Sequence, residues 1–396
     1  MSEWQERKLE DLGLLQRGRS RHRPRYDFHL YGGKYPFIQT GEVREARKYI
    51  RDYEQTYSDA GLAQSKLWPK NTLCITIAAN IAELAILAFD ACFPDSVLGF
   101  IPNEKTDLDF VYYTLTHFQR ELKHIGEGSV QDNINLGTFQ DVLFPIPDLE
   151  EQKAIASVLS SLDDKIDLLH RQNTTLERMA ETLFRQWFVE EAQEDWEELP
   201  LDKLVNITSS KRVFYSEYVT SGVPFYRSKE IIELHNSGST NSELFITEAR
   251  FIEISDKFGA PQENDILLTS VGTLGVPYKV KKLDRFYFKD GNLTWFKDFT
   301  GMPSVIIYCW LKSNIGKEQL DSITIGSTQA ALTISGLKQI IFKVPPKAII
   351  NLAEEKLTAI YNKVDGNQKQ IQTLEKLRDN LLPKLMSGEL RVELVA

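Results

Sequence analysis

The chain has 396 residues, 42% of them hydrophobic, and a formal net charge of −9; the length favours two to three packed domains, and the acidic balance counts against a simple basic coat protein for nucleic acid. Its three cysteines show neither disulfide nor metal-ligand spacing, which predicts no metal site and favours a reducing, cytoplasmic compartment. The most apolar run, residues 72–93, contains Glu83 and Asp90, so it is interpreted as core rather than as a membrane span.

A basic segment stands near the start of the chain. Residues 16–25 read QRGRSRHRPR, with five arginines and no acid, and Gly18 and Pro24 exclude a regular element there. This composition suits contacts with phosphate, and it equally suits a mobile solvated loop. The sequence then predicts a strand and turn at 35–43, a buried strand at 71–79, a helix at 108–117 and a short strand at 142–146.

A long heptad helix is predicted over residues 150–188. Its apolar residues alternate between spacings of four and three, as in a coiled-coil seam, and Asp148 is expected to cap its N-terminus. A helix of about 50 Å cannot bury such a seam alone, so it needs a partner helix. The seam positions are Ile155, Leu159, Leu162, Ile166, Leu169, Asn173, Leu176, Ala180 and Leu183.

The second half follows an acidic linker, residues 189–199, which holds six acidic residues and no basic one. The segment SSKR at 209–212 takes the place of the basic segment of the first half. Strands are predicted at 224–231, 265–270 and 340–344, and residues 305–312 are apolar enough for either a helix or a strand.

The partner helix is predicted within the same chain, over residues 352–385. Its seam comprises Leu357, Ile360, Val364, Asn367, Ile371, Leu374 and Leu381. Each of the two helices carries one asparagine in its seam, Asn173 and Asn367. A polar seam residue can specify register at some cost in stability. Alternatively, each asparagine faces water at a point where the apolar seam is interrupted.

The two halves repeat one plan. GSVQ at 128–131 recurs as GSTQ at 326–329, FPIP at 144–147 as FKVP at 342–345, and PFIQTGEV at 36–43 as PFYRSKEI at 224–231. The predicted fold class is therefore α+β: two tandem globular domains, each followed by a long helix. The predicted boundaries are 1–149 and 193–347 for the domains, 150–192 for the first helix, and 348–396 for the second helix and tail.

Catalytic signatures are missing from the sequence. It contains no nucleophile elbow, zinc-protease motif or P-loop, and Gly126-Glu127-Gly128 fails as a dinucleotide fingerprint. Pro345-Pro346 lacks the preceding Asn or Asp and the following aromatic residue of amino-methylating enzymes. The chain is predicted not to be an enzyme by itself.

The order and duplication of these motifs resemble the specificity subunit of type I restriction-modification enzymes. The resemblance covers essentially the whole chain, and its most telling parts are FIQTGE at 37–42 with FYRSKE at 225–230, LEEQKAI at 149–155 and LMSGEL at 385–390. It implies that each globular domain is a target recognition domain for one half of a split, asymmetric site in double-stranded DNA. It also implies that the helices pair as an antiparallel coiled coil with pseudo-twofold symmetry.

The resemblance further implies partners and cofactors. Two methyltransferase (M) subunits would bind the helical regions, and two restriction (R) subunits would join through them. Adenine-N6 methylation from S-adenosylmethionine and cleavage with ATP and Mg²⁺ would belong to those partners, so that no cofactor or metal is expected on this chain.

Candidate DNA contacts come from the basic segments, the duplicated strand-turn and the GS-x-Q loops. Arginine makes bidentate contacts with guanine and also binds phosphates, and the GS-x-Q loops fit a DNA-facing loop or a purely structural turn equally well. The candidates are Arg17, Arg19, Arg21, Arg23, Arg25, Gln39, Thr40, Ser129, Gln131, Lys211, Arg212, Arg227, Ser228, Lys229, Ser327 and Gln329.

Two other classes of protein compete with this interpretation. A self-contained DNA methyltransferase or nuclease would bind S-adenosylmethionine as an isolated chain. A coiled-coil scaffold without a DNA role would keep whatever DNA affinity it has after Arg17 and Arg19 are changed to Ala.

Overall fold

A computed structural model of the chain describes residues 4–24, 26–78, 81–127, 142–326 and 330–392. The chain divides into two compact units: unit 1 comprises residues 1–169 and 370–396, and unit 2 comprises residues 170–369. Each unit therefore contains one segment of each long helix.

Unit 1 is a mixed α and β structure. Its strands are β1 (Gln5–Lys8), β2 (Gly13–Arg17), β3 (Tyr31–Phe37), β4 (Tyr49–Ile50), β5 (Gln55–Tyr57), β6 (Leu67–Trp68), β7 (Leu73–Thr76), β8 (Leu84–Leu87), β9 (Ala91–Cys92), β10 (Val97–Pro102) and β11 (Leu143–Ile146). Its shorter helices are α1 (Leu9–Leu12), α2 (Thr40–Glu45), α3 (Asp59–Gln64) and α4 (Leu108–Glu127).

The strands of unit 1 form three sheets, in the orders β1-β11, β2-β10-β7-β8-β4 and β5-β3-β9-β6. Every residue of β7 and β8 is buried, as expected for short apolar runs. The buried strand predicted at 71–79 is thus confirmed in its central part, and the helix predicted at 108–117 continues to Glu127.

Unit 2 repeats this plan. Its strands are β12 (Glu197–Pro200), β13 (Asn206–Thr208), β14 (Tyr218–Val219), β15 (Val223–Tyr226), β16 (Phe245–Ile246), β17 (Ile266–Thr269), β18 (Pro277–Lys279), β19 (Tyr287–Phe288), β20 (Leu293–Lys297) and β21 (Ile341–Val344). Its shorter helices are α6 (Ser228–Ser237), α7 (Glu248–Phe258), α8 (Ser304–Lys312), α9 (Asn314–Ser322) and α10 (Ile334–Gln339).

The sheets of unit 2 correspond in large part to those of unit 1, although the larger sheet has four strands rather than five because β4 has no counterpart. Their orders are β12-β21, β13-β20-β17-β18 and β14-β16-β15-β19. Phe225 of β15 pairs in parallel with β19, as Phe37 of β3 pairs in parallel with β9. The duplication seen in the sequence is therefore a duplication of topology, and the α+β fold class is confirmed.

The strand predicted at 224–231 is wrong in its second part. The strand ends at Tyr226, because the Glu230 carboxylate accepts a hydrogen bond from the Arg227 backbone N–H at 2.7 Å and so caps α6. In unit 1 the Gln39 N–H donates to Glu42 at 3.1 Å in the same way. The duplicated motif is thus a strand-to-helix junction. The ambiguous residues 305–312 belong to helix α8.

The first long helix, α5, spans Leu149–Arg185 and continues as a π-helical turn to Glu190. Asp148 caps it as predicted, accepting a hydrogen bond from the Glu151 N–H at 3.0 Å. The second, α11, spans Lys347–Met386.

In unit 1, the segments of α5 and α11 pack against each other. Ile166 and Leu169 share a small core with Ile371 and partly buried Leu374. Nearby, the Arg378 guanidinium donates to Asp163 at 2.8 Å, and the Tyr113 hydroxyl donates to the other carboxylate oxygen at 2.6 Å. Since Asp163 precedes Ile166 while Arg378 follows Ile371, the two segments run antiparallel.

A buried lysine also attaches α5 to the globular part of unit 1. Lys48 is 4% exposed, and its amine donates to the Ser160 hydroxyl of α5 at 2.8 Å and lies 2.9 Å from the Asp109 carboxylate of α4. The positive charge is therefore paired where water is largely excluded.

In unit 2, an asparagine pair lies in the seam. The Asn367 side-chain amide donates to the side-chain oxygens of Asn173 and Gln172, both at 2.8 Å. Asn173 is 9% and Asn367 1% exposed, so neither faces water. Farther along α5, Phe184 shares a core with Leu357, so these segments also run antiparallel.

The seam departs from a strict heptad pattern. Leu162 and Leu183, predicted at its centre, are only partly buried, whereas Asp163 and Phe184, one residue later, are buried. An α-helix has 3.6 residues per turn, so its contact stripe drifts relative to a 3.5-residue repeat. Leu176 and Val364 are likewise half-buried, while Leu159 is fully buried.

Replacing Asn367 by Leu is expected to destabilise the chain by about 1–3 kcal/mol, because the buried Asn173 amide loses its partner. Replacing both asparagines by Leu should recover most of that loss, since no polar group then remains unsatisfied. Urea unfolding of the full chain measures both effects. Asn362→Leu, at an exposed position of α11, is the control; a double variant as unstable as the two single variants combined would contradict the pairing.

Candidate nucleic-acid interface

The basic loop of unit 1, defined as residues 17–30, leaves the sheet at the end of β2 and returns through a 3₁₀ turn at Phe28–Leu30. Helix α3 holds it at both ends. The Gln64 side-chain carbonyl accepts hydrogen bonds from the N–H groups of Arg21 and His22, at 2.6 and 3.0 Å. The Ser58 hydroxyl donates to the His29 carbonyl at 2.7 Å. The described part of this loop is therefore anchored.

The arginines of the loop have different roles. Arg19 donates to the Ser65 carbonyl at 2.9 Å, and Arg23 donates to the carbonyls of Ser20 and His22, each at 2.8 Å. Arg17 and Arg21 are exposed, and within the described ranges neither has a carboxylate partner. These two guanidinium groups are free to bind an external anion. Arg25 lies outside the described residues.

Lys66 strengthens the positive field beside the loop. Its amine donates to the Gln16 side chain at 2.9 Å and lies 3.6 Å from the centre of the Trp68 ring. Burial, together with the charge of Arg19, lowers the pKa of Lys66 below its ordinary value. A bound anion would offset the repulsion between the positive charges of Lys66 and Arg19.

Two exposed aromatic residues follow the arginines. Tyr26 is 85% and Phe28 88% exposed, which is unusual for large rings. Our sequence interpretation overlooked them, although the alternation of aromatic and polar residues after RHRPR was a usable signal. They add flat, exposed apolar surfaces to the loop that also carries Arg21.

Unit 2 has a corresponding segment, the unit 2 loop, defined as residues 209–219. Arg212 pairs with Asp290 at 2.9 Å but keeps 68% of its side chain exposed, and the Lys211 amine lies 5.0 Å from the centre of the Phe258 ring. Phe214 is 61% and Tyr215 87% exposed. Each unit thus displays basic residues followed by exposed aromatic rings.

The residues of the strand-to-helix junctions are engaged within the protein. Arg227 binds the fully buried Glu230 at 2.6 Å and Glu243 at 3.0 Å, and Lys229 binds Glu243 at 2.6 Å. These hydrogen bonds, from Lys229 first and Arg227 second, lower the pKa of Glu243. The charges that were predicted to face DNA therefore have internal partners.

The remaining junction residues show weaker contacts. The Ser228 hydroxyl donates to the Asn292 carbonyl at 3.4 Å, and the Gln39 amide donates to Gln55 at 3.3 Å. Thr40 is a half-buried first residue of α2. The GS-x-Q candidates lie outside the described residues: Ser129, Gln131, Ser327 and Gln329.

Three ligand-type side chains meet within the basic loop. His22 Nε2 lies 3.2 Å from one oxygen of Asp27, and His29 Nδ1 lies 2.6 Å from the other. The hydrogen bond from His29, aided by that from His22, lowers the pKa of Asp27.

Within the described ranges, no helix is long and apolar enough to cross a membrane.

Comparison with known proteins gives a consistent result. The family model described as type I restriction modification DNA specificity domain matches the chain twice, over residues 1–178 and 193–376. The MjaIX specificity subunit of Methanocaldococcus jannaschii is 27% identical, with 99% of this chain and 94% of that protein aligned. The HindI specificity subunit of Haemophilus influenzae is 24% identical, over 98% and 100% of the two chains.

A solved structure shares the fold. The crystal structure of the type I restriction-modification S subunit from M. genitalium superposes with a TM-score of 0.66 at 18% identity, covering 97% of this chain and 96% of that one.

Changing Arg227 to Ala is expected to destabilise the chain by about 3 kcal/mol, because it leaves the buried Glu230 carboxylate without its charge partner. Lys229→Ala is the matched control: it breaks only an exposed pair with Glu243, which solvent screens, so stability should change little. Thermal and urea unfolding measure the difference. If Arg227→Ala kept its stability but lost DNA affinity, Arg227 would be a DNA-reading residue instead.

Proposed function

The chain belongs to the family of type I restriction-modification DNA specificity proteins, and on that basis we propose that it reads a split, asymmetric site in double-stranded DNA. The observation that carries the proposal is the double match of the family model to a chain whose two units repeat one topology. Each unit recognises one half of the site. The proposed recognition domains are residues 1–149 and 193–347, with the first spacer helix at 150–192 and the second spacer helix and C-terminal tail at 348–396.

Exposed loops supply the proposed DNA contacts. Arg17 and Arg21 in unit 1, and Lys211 and Arg212 in unit 2, carry charges at the surface, where they suit phosphates or guanine edges. The rings of Phe28 and Tyr215 offer apolar surface to bases or to a thymine methyl group. Reading therefore combines an electrostatic component with a stacking or apolar component. The GS-x-Q loops remain predicted contacts.

The long helices are the proposed docking sites for two methyltransferase subunits. Each unit exposes an apolar side chain on each helix: Leu168 and Leu377 in unit 1, Met179 and Leu352 in unit 2, all between 43% and 49% exposed. Such residues suit a partner surface that buries them. Restriction subunits, where the system has them, would join through the methyltransferase subunits.

Catalysis in this proposal belongs to the partners. The named relatives are specificity subunits, and methyl transfer to adenine N6 and ATP-driven cleavage would use S-adenosylmethionine, ATP and Mg²⁺ on the other subunits. The isolated chain should not methylate or cut DNA. Detectable S-adenosylmethionine binding by the isolated chain would favour a self-contained enzyme instead.

The electrostatic and the apolar contributions of the loops to DNA binding should be distinguishable by experiment. Arg21→Ala should lower the slope of log affinity against log salt by about 1, because one phosphate contact is lost. Phe28→Ala and Tyr215→Ala should weaken binding by about 1–3 kcal/mol with little change of slope. The measurement is fluorescence anisotropy of duplex DNA with the complex of this chain and its methyltransferase subunit.

The control variants remove side chains of the same kinds, one cationic and one apolar, at positions outside the two loops. Lys203→Ala removes an exposed cation, and Leu283→Ala an apolar side chain that is 80% exposed, both outside the two loops. If the controls weaken binding as much as the loop variants do, the loops are not the DNA interface. The scaffold alternative requires all of these variants to leave affinity unchanged.

Methylation mapping tests the function itself. Co-expression of this chain with its methyltransferase subunit should place N6-methyladenine in one split, asymmetric motif of the host DNA, absent when either gene is missing. An unchanged methylation pattern, with both proteins soluble and associated, would refute the DNA-reading function.

A further inference from the structure

We propose that His22, Asp27 and His29 form a binding site for one divalent transition-metal ion, with Zn²⁺ as the preferred ligand. One nitrogen of each ring and one carboxylate oxygen all lie within 4.8 Å of one another. The sequence alone predicted no metal site, because its cysteines showed no metal-ligand spacing. The loop's folding brings the three side chains together.

The chemistry of the donor set selects the metal. Two imidazoles and one carboxylate suit Zn²⁺ and its neighbours, whereas Mg²⁺ and Ca²⁺ prefer sites made of oxygens. Zn²⁺ commonly takes three protein ligands and leaves a fourth position open. The side chains of His22, Asp27 and His29 are 34%, 27% and 46% exposed, so water can reach that position.

The scaffold preorganises both histidines. The His22 backbone N–H donates to Gln64 at the end of α3, and the His29 carbonyl accepts from the Ser58 hydroxyl at its start. Asp27 lies between them and accepts a hydrogen bond from the His29 N–H at 3.4 Å. The ring centres of His22 and His29 are 5.1 Å apart. The ligands thus converge because one short helix positions the segments that carry them.

The metal-free cluster can form a hydrogen-bond network that converts to a metal site without losing a proton. When both rings are neutral and carry their protons on His22 Nε2 and His29 Nδ1, these nitrogens can donate to Asp27, which lies 3.2 and 2.6 Å away. On metal binding each proton moves to the other nitrogen of its ring, by exchange with water, and the freed lone pair binds the ion. Asp27 exchanges two hydrogen bonds for one metal bond.

The metal site is expected in unit 1 only. The unit 2 loop, SSKRVFYSEYV at 209–219, has neither histidine nor cysteine. In unit 1 the bound ion would link the two ends of the segment that carries Tyr26. Arg21 and Phe28 are the sequence neighbours of its histidine ligands. A consequence, which rests on the proposed function, is that Zn²⁺ strengthens contacts to the half of the DNA site read by unit 1.

The three cysteines of the chain are weak competitors for the ion. Cys74, Cys92 and Cys309 are all buried, and burial raises the pKa of the Cys92 thiol to about 11 and that of Cys309 to about 12. A thiol must lose its proton to bind zinc, so the folded chain offers these residues poorly. A titration of the folded chain should therefore report histidine and carboxylate ligands, and the variants below identify which ones.

The test is a Zn²⁺ titration of the tag-free, chelator-treated full chain in competition with a chromogenic chelator. We expect one equivalent, and a loss of affinity of about ten- to hundredfold or more for His22→Gln, His29→Gln and Asp27→Asn, since even disturbing a ligand's supporting contacts costs that much. His117→Gln, a histidine on α4 in the same unit, is the control and should bind like the unmodified chain.

Two further readouts keep the proposal falsifiable if one variant fails to fold. Co²⁺ should produce visible d–d absorption that Asp27→Asn abolishes, and Zn²⁺ but not Mg²⁺ should raise the Tm of the unmodified chain. Binding that is equal in the unmodified chain and in all three folded variants would overturn the proposal. None of these measurements involves DNA, so their failure is distinguishable from failure of the proposed function.

Discussion

The structure depends on one constraint: neither long helix can bury its apolar residues without segments of the other. In unit 1, Leu159 of α5 and Leu385 of α11 belong to the same core as the sheet residues, and in unit 2 Phe184 and Leu357 do so. The core of unit 1 therefore requires the C-terminal part of the chain. A cut between the two sequence repeats would remove core residues from the first unit rather than release it intact.

Buried polar groups give this helix pairing its register. Asn367 with Asn173, and Arg378 with Asp163, are matched pairs within otherwise apolar seams. A shift of either helix by one turn would leave Asn173, Asn367 and Asp163 buried without these partners, at a cost of several kcal/mol. Apolar contacts alone tolerate such shifts more readily. The polar pairs thus specify the register of the helices, whereas the leucines add mainly stability. The register in turn determines which residues of α5 and α11 are exposed.

Charge at the candidate interface depends on which partners the fold supplies. Arg227 and Lys229 have carboxylates nearby, and Arg19 and Arg23 bind carbonyls. Arg17 and Arg21, by contrast, have no carboxylate partner among the residues that the structure describes. A net charge of −9 is compatible with DNA binding because local, unpaired cations set the potential at a loop. The same loop carries the aromatic rings and the His22–Asp27–His29 cluster, so one structural feature concentrates several kinds of recognition chemistry.

By itself the sequence determined the duplication, the long helices, the cap at Asp148 and the family, because these follow from local periodicity, capping chemistry and motif order. It placed the junction at Arg227 wrongly in a strand, since a capping carboxylate three residues later decides where the helix begins. Only the tertiary structure decided which arginines are free, which rings are exposed, and that His22 meets His29. Those properties depend on contacts between residues distant in sequence, such as Arg19 with Ser65, and no local pattern encodes them.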